Sequence, residues 1–371
     1  MRVECSRDDF LQAVRIAQNA IVSTTLPILS HIFLSTDEEK IRVIATNLET
    51  TICALFKAKI EEKGSICLPG TKLYSILREL PPGKVYFETQ DLKSSIKMDQ
   101  IFFSLLGSPP EEFPEIPSAG KITFSLSQAT LQQAFEKTMF SAGQDEVRQN
   151  LNCVFLEASP LNEEKKPILR AVATDGRRLS LLLIPESSVS ESFQVLVPLK
   201  AVRQLMKILK KEGEVKIGVE ENRIYFCTAD FSFFSQLIDA KFPNYQGVIP
   251  QEYKITITVS REDLIAAIRR ISLLAEEQTR LVKLSIEGNN LTVSATSAQL
   301  GSAYERLSVK REGEERMEIG FNAVYLLEAL RAIKEEEVQI NFVDRESAGV
   351  FHPKSSRNYI HVLMPVKLRG E

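Results

Sequence analysis

The stretch Val172–Leu183, VATDGRRLSLLL, decides how this chain is read. It is an apolar run, an Asp175-Gly176 pair and a second apolar run. Asp tolerates a left-handed backbone and Gly has no Cβ to clash, so the pattern predicts two antiparallel strands joined by a tight turn at Asp175-Gly176. Two sister phrases occur, IATNLETTICAL at Ile44–Leu55 and SATSAQLGSAYE at Ser294–Glu305. Three copies of A-T-x at intervals of roughly 120–130 residues imply an internal triplication. Asp175 reads as a turn residue and not as a catalytic carboxylate, because its sister positions hold Asn47 and Ser297.

Outward from each copy the same plan recurs. An amphipathic helix precedes it: Ser6-x-x-Asp9 leads into Phe10, Val14, Ala17 and Ile21. Ser127 leads into Leu131, Phe135, Met139 and Ala142, and Ser260-x-x-Asp263 into Leu264, Ile268, Ile271 and Leu274. Ser before an apolar-periodic run is a helix start, and one apolar stripe means one buried face. A strand and second helix follow each copy, within 65–80, 194–211 and 317–334, and then further strands. Phe113–Pro117 and Phe242–Pro250 are proline-bearing exits from sheets. They set domains at 1–118, 119–251 and 252–371. The expected class is α+β: three tandem similar domains, each with two helices packed on antiparallel sheet.

Composition bounds the function. The chain has 371 residues, 44% hydrophobic and 26% charged, as ordinary globular proteins have. Cys5, Cys53, Cys67, Cys153 and Cys227 are odd in number and scattered, which predicts reduced thiols and neither a disulfide frame nor a zinc site. The start MRVECSRDDF has no apolar signal core, and no apolar run nears the ~18 residues that cross a bilayer. A cytoplasmic protein without membrane contact is expected. His31, His352 and His361 are not at metal-ligand spacing, and no G-x-S-x-G, H-E-x-x-H or P-loop phrase occurs. The expectation is no catalytic residue, no metal and no cofactor.

The net charge of −3 argues against coating nucleic acid by bulk attraction. Charge placement matters more. Lys200, Arg203, Lys207 and Lys211 recur at helical spacing, opposite Val202, Leu205, Ile208 and Leu209. One such face is ordinarily a solvated surface. Three equivalent helices on one side of three similar units would instead share a basic surface, which meets phosphates without reading bases.

LPIL (26–29), ATDGRRLS (173–180), FPNYQGVIP (242–250), MEIGFN (317–322) and VLMPVKL (362–368) occur together over the whole chain. In that combination the sequence resembles the bacterial DNA polymerase III β subunit, the sliding-clamp family. The resemblance implies DNA-clamp domains in a ring-shaped head-to-tail homodimer threaded by duplex DNA without sequence preference. It implies a processivity factor, with helices lining the hole. Lys72, Lys200, Arg203, Lys207, Asn322 and Tyr325 would face DNA. Lys72, Ile76, Phe103 and Leu105 would meet Leu273 and Leu274 of a second copy. A groove between the second and third domains would take short linear motifs of the polymerase III α subunit, the clamp loader, other polymerases and repair proteins. Its walls would be Arg148, Leu151, Thr174, Gly176, Arg177, Arg178, Leu179, Pro243, Val248, Val362, Met364, Pro365, Val366, Lys367 and Leu368. The residue types suit this: an apolar pocket with an adaptable Met, ringed by cationic donors.

The chain departs from the family pattern at Ser23, Thr71, Asp145, Gln149 and Asn150, where the family contacts DNA, and at Gly247 in the groove. The tail also runs past Leu368 as Arg369-Gly370-Glu371. A peptide-binding scaffold without DNA encirclement is therefore the alternative. An enzyme with a site hidden between domains is a third reading, with no nucleophile–base or metal constellation behind it.

Overall fold

The computed structural model describes residues 1–22, 25–145, 147–159, 168–185, 189, 191–313 and 316–368. Ser23 and Arg369-Gly370-Glu371, singled out in the sequence, lie outside the described residues.

Six α-helices are described, two per repeat: α1 Arg7–Ala17, α2 Gly70–Glu79, α3 Gln128–Thr138, α4 Leu199–Met206, α5 Arg261–Ile271 and α6 Ala323–Ala332. The expected caps form. Ser6 Oγ accepts from Asp9 N at 3.4 Å, Ser127 Oγ from Thr130 N at 3.0 Å and Ser260 Oγ from Asp263 N at 3.4 Å. Each satisfies a backbone donor that the first turn leaves without a partner. Phe10, Val14 and Ala17, then Leu131 and Phe135, then Leu264, Ile268 and Ile271 are buried along single stripes. Ile21, Met139, Ala142 and Leu274 lie beyond the ends of these helices.

The basic helix of the second repeat is shorter than its spacing predicts. α4 stops at Met206, so Lys207 and Lys211 follow the helix and do not extend its face. Gln132 Nε2 donates to Leu209 O at 3.0 Å, and Gln128 Oε1 accepts from Lys210 N at 2.9 Å. These glutamines of α3 take over backbone groups that a longer helix would have paired internally. The departure from the helix axis lets Ile208 and Leu209 both be buried, at 7% exposure each.

The chain divides into two compact units, residues 1–132, 188–191 and 200–237, and residues 133–187, 192–199 and 238–371. The first holds a twelve-stranded sheet. Its path runs Ile101–Leu106, Lys93–Met98, Lys84–Gln90, Arg2–Ser6, Thr50–Glu62, Phe231–Gln236, Arg223–Cys227, Glu214–Val219, Phe124–Ser127. The second holds a nine-stranded sheet in which Arg178–Pro185 pairs with Tyr359–Leu363. It also holds a four-stranded sheet ordered Gly301–Ser308, Asn290–Ser297, Leu281–Glu287, Met317–Asn322. The predicted boundaries at 118 and 252 follow the sequence repeat, but hydrogen-bonded sheet runs through both. A strand of the first repeat pairs with the last strand of the second, and a strand of the second with the last of the third.

The turn in the deciding stretch is longer than a two-residue hairpin. Thr174 pairs with Leu179, so Asp175 to Arg178 close the loop. Asp175 Oδ1 accepts from Arg177 N at 2.8 Å and Arg178 N at 3.0 Å, and Thr174 Oγ1 accepts from Gly176 N at 3.1 Å. The Asp side chain thus replaces the backbone acceptor that a two-residue turn would supply. The first copy repeats the pattern. Asn47 Oδ1 accepts from Glu49 N at 3.0 Å and Thr50 N at 2.7 Å, and Thr46 Oγ1 accepts from Leu48 N at 3.1 Å. The third copy is one residue longer, with Thr296 opposite Ser302.

Candidate functional site

The predicted groove residues come together around the Thr174–Leu179 turn, in two layers. The floor is apolar core. Leu151 is 6% exposed, Leu179 3% and Val362 2%. Leu179 and Val362 pack with Phe155, Phe242 and Tyr245, and the Phe155 and Phe242 rings stack at 4.6 Å. Tyr245 donates to Glu157 Oε2 at 2.7 Å, and burial pushes its hydroxyl up to about 12. The upper layer is open. Met364 is 44% and Val248 49% exposed. Arg148, Gly176, Arg177, Pro243, Gly247 and Lys367 are exposed, and Pro365, Val366 and Leu368 half-buried.

Met364 to Leu368 are fixed by backbone. Met364 N donates to Arg177 O at 2.9 Å and Val366 N to Gly320 O at 2.8 Å. A Cβ on Gly320 would meet Val366 O at 2.7 Å and Leu368 Cδ2 at 2.9 Å. The glycine of MEIGFN therefore makes room for the tail VLMPVKL, which ties two separate sequence signals into one structure.

Arg178 is occupied. It is 8% exposed, donates to Asp175 Oδ2 at 3.0 Å and Phe140 O at 2.5 Å, and pairs with Glu328 of α6. Its guanidinium lies 4.2 Å from the Tyr325 ring centroid. Each guanidinium nitrogen has an acceptor and Tyr325 covers the face, so Arg178 fastens the turn to α6 and is committed within the fold. Thr174 is likewise committed, donating to Arg178 O at 2.6 Å. Arg148, Arg177 and Lys367 remain as the exposed cations.

Beneath the turn, Ser180 Oγ lies 2.8 Å from His361 Nδ1 and 2.7 Å from Ser141 Oγ. A hydroxyl–imidazole pair suggests nucleophilic chemistry, but all three residues are at 0% exposure, out of reach of any substrate. Burial, with the Arg178 charge adding to it, holds His361 neutral, its imidazole pushed down to about 3.

The predicted DNA-facing residues differ in availability. Lys72, Arg203 and Lys207 are exposed. Lys200 is exposed and pairs with Glu49 at 2.7 Å. Asn322 caps α6, its Oδ1 accepting from Val324 N at 2.9 Å and its Nδ2 donating to Thr279 O at 3.2 Å. Tyr325 stacks on Arg178. Among the family departures, Thr71 and Gln149 are exposed. Asp145 pairs with Arg148 at 3.7 Å, and Asn150 donates to Lys241 O at 3.2 Å.

The predicted interface residues lie on α2, on one sheet edge and in the turn that follows α5. Lys72 and Ile76 are one turn apart on α2. Phe103 and Leu105 are half-buried on the edge strand Ile101–Leu106, while their neighbours Phe102 and Leu106 are 59% and 75% exposed. Leu273 is 77% exposed and Leu274 half-buried, beside the edge strand Gly301–Ser308 with Tyr304 at 70%. Phe102, Leu106 and Tyr304 are exposed apolar residues on these edges that sequence reasoning did not single out. The apolar run IFFSLL was the signal for Phe102 and Leu106, because alternation in a strand turns every second side chain to the opposite face.

Three family descriptions match in succession: the N-terminal domain of the DNA polymerase III beta subunit over residues 1–117, its central domain over 125–244 and its C-terminal domain over 246–367. The chain belongs to the DNA polymerase III beta subunit family. The beta sliding clamp of Escherichia coli (strain K12) is 32% identical over 348 residues, 93% of each chain. That of Pseudomonas aeruginosa is 29% identical over 374 residues, 99% of this chain and 100% of its own. A crystal structure of the P. aeruginosa clamp bound to griselimycin superposes with a TM-score of 0.93 at 29% identity, covering 99% of this chain and 100% of that one. The Bacillus subtilis clamp gives 0.93 at 26% identity, covering 99% of each. As a beta subunit the chain is a non-catalytic accessory of the polymerase, a processivity clamp. Among the described residues, no helix is long and apolar enough to cross a membrane.

Proposed function

We propose that two copies of this chain close head to tail into a ring around duplex DNA, and that partners dock as peptides on the Thr174–Leu179 turn. The observation that carries the ring is a junction made twice within the chain. The strand after the first A-T-x turn pairs with the last strand of the second repeat, Thr51 opposite Phe234. The strand after the second turn pairs with the last strand of the third, Leu179 opposite Val362. The strand after the third turn, Gly301–Ser308, and the last strand of the first repeat, Ile101–Leu106, are both sheet edges among the described residues. A second copy supplies each edge with the partner that the pattern calls for. Such a contact is heterologous and closes by a twofold rotation. Lys72, Ile76, Phe103 and Leu105 then face Leu273 and Leu274, with Phe102, Leu106 and Tyr304 adding apolar area.

The three repeats, 1–118, 119–251 and 252–371, become six similar domains around the hole. Lys72, Lys200, Arg203, Lys207, Asn322 and Tyr325 mark the side turned to DNA, where α6 also begins. A chain with net charge −3 grips phosphates weakly, which suits sliding. Arg148, Arg177, Lys367, Met364 and Val248 receive the peptides of the polymerase α subunit, the clamp loader and other cytoplasmic polymerases and repair proteins. A partner so tethered rebinds its template intramolecularly, which is the source of processivity.

The test is retention on DNA. The protein is loaded on a nicked circular plasmid with a clamp loader and ATP, isolated, and the circle is cut once. Retention on circles and loss on linearisation is expected. Equal loss from both forms, with peptide still bound, would leave only a peptide-binding scaffold.

A further inference from the structure

We propose that the first junction holds a second peptide-binding groove, for an extended segment that carries an apolar side chain beside a lysine or arginine. The proposal rests on reading the Thr174–Leu179 turn as a peptide site, because the two places are built alike. Gln236 N donates to Glu49 O at 2.9 Å, as Met364 N donates to Arg177 O at 2.9 Å. Leu48 thus stands where Gly176 stands, Glu49 where Arg177 does and Gln236 where Met364 does. Pro114 and Glu115 follow Phe113 as Pro243 and Asn244 follow Phe242.

Here the junction encloses a cleft of about 240 Å³, lined among others by Leu48, Glu49, Pro114, Glu115, Arg223 and Phe234. That is below the roughly 300–1,000 Å³ of drug-sized sites, so it admits one or two side chains and not a folded domain. Leu48 is 51% exposed and held at φ +74°, a backbone region that its sister satisfies with Gly176 at +87°. A bulky apolar residue kept both exposed and in a costly conformation points to a contact it makes. The charge at the matching turn position is reversed, Glu49 standing where Arg177 does, and the cleft wall adds Glu115 and Arg223. Lys200 already holds Glu49 at 2.7 Å, so Glu115, exposed on its linker, is the carboxylate a peptide cation meets.

The test uses the full chain with labelled leucine and methionine methyl groups, titrated with the acetylated tripeptide amides Leu-Arg-Phe and Leu-Glu-Phe. The Leu48 methyl resonances should shift with the arginine peptide at about tenfold lower concentration than with the glutamate peptide, one charge-assisted contact apart. Glu115→Lys should remove that preference. Leu48 signals unmoved by either peptide would overturn the proposal, as would equal response to both. The Met364 methyl reports the other groove in the same sample. A Met364 shift without a Leu48 shift leaves the second-junction groove standing and removes only this one.

Discussion

At the first junction the last residue of the turn is Thr50, whose Oγ1 donates to Gln204 Oε1 of α4 at 2.9 Å. At the second it is Arg178, which pairs with Glu328 of α6. Gln204 and Glu328 occupy matching turns of matching helices, and Thr50 and Arg178 matching places after A-T-x. Two strand positions further in, Ile52 faces Phe233 at the first junction, while Ser180 faces His361 at the second. The backbone connections are the same; across the buried positions just described the first junction is held by a neutral hydrogen bond and apolar packing, its Lys200–Glu49 pair lying exposed, whereas the second is ionic and hydrogen-bonded. A Thr–Gln bond holds two elements with little at stake electrostatically. An Arg–Glu pair whose arginine is 8% exposed holds them more firmly, but only while every member is satisfied. The ionic version occurs where the turn carries Arg177 and the tail residue Met364 is bonded to it.

The third junction, between two copies, gives the largest expected effect. Leu106→Asp with Leu273→Asp places carboxylates on two highly exposed leucines, so each copy should fold normally. Desolvating them at the interface should weaken the dimer by about a thousandfold, some 4 kcal/mol. Sedimentation at micromolar protein checks this. A dimer that persists would place the contact elsewhere and break the analogy between internal and external junctions.

Acid separates the two internal junctions next. His361 stays neutral down to about 3, whereas an unfolded histidine titrates near 6.5. Between those values the unfolded chain binds a proton that the native one refuses. Stability is therefore full above pH 6.5 and falls as pH drops toward 3, by up to about 1.4 kcal/mol per unit from this residue. His361→Phe gives the second junction the side chain that Phe233 gives the first. It should flatten the urea midpoint between pH 6.5 and 4.5 relative to the parent. His352, also lowered by burial, contributes equally to both proteins and cancels in the comparison. An unchanged slope would mean that His361 is not what makes the second junction acid-sensitive.

Glu328→Gln tests the ionic lock itself. Glu328 is about one-third exposed, so losing its charge should cost about 1–3 kcal/mol and not the full penalty of a buried pair. Arg178 would keep Asp175 and the Phe140 carbonyl. The sharper readout is peptide affinity at the Arg177–Met364 turn, which should fall several-fold although Glu328 belongs to no groove wall. Unaltered affinity would show that the lock stabilises the fold without ordering the turn.

These residues mark where sequence reading succeeds and stops. The repeat, the helix starts at Ser6, Ser127 and Ser260 and the strand alternation are local signals, and each copy repeats them. Arg178 looked like a free donor because its neighbour Arg177 is one. Its partner Glu328 lies 150 residues away, and no local pattern records that distance. Asn322 opening α6 was readable as a cap, since Asn before an apolar helix is a standard N-cap, but the resemblance drew it toward DNA. The end of α4 was set by Gln128 and Gln132 of another helix, so periodicity overran it to Lys207. The turn length was hidden because Asp-Gly serves both a two-residue hairpin and an Asx-closed loop of four.

The smallest expected effect concerns the turn that gives the first junction its strain. Leu48 at φ +74° bears about 1–2 kcal/mol that a glycine there would not. Leu48→Gly gives up little burial, because half the residue is exposed, but it returns about 0.5–1 kcal/mol to the entropy of the unfolded chain. The net should be a gain of about 0.5 kcal/mol, read as a small rise in urea midpoint with unchanged m. Its value is in its sign. A stabilised variant means that the parent bears a local cost that folding does not require, and the cleft by Leu48 is where that cost finds a use. A destabilised one means that Leu48 packs for structure, and the first junction differs from the second only in how it is held together.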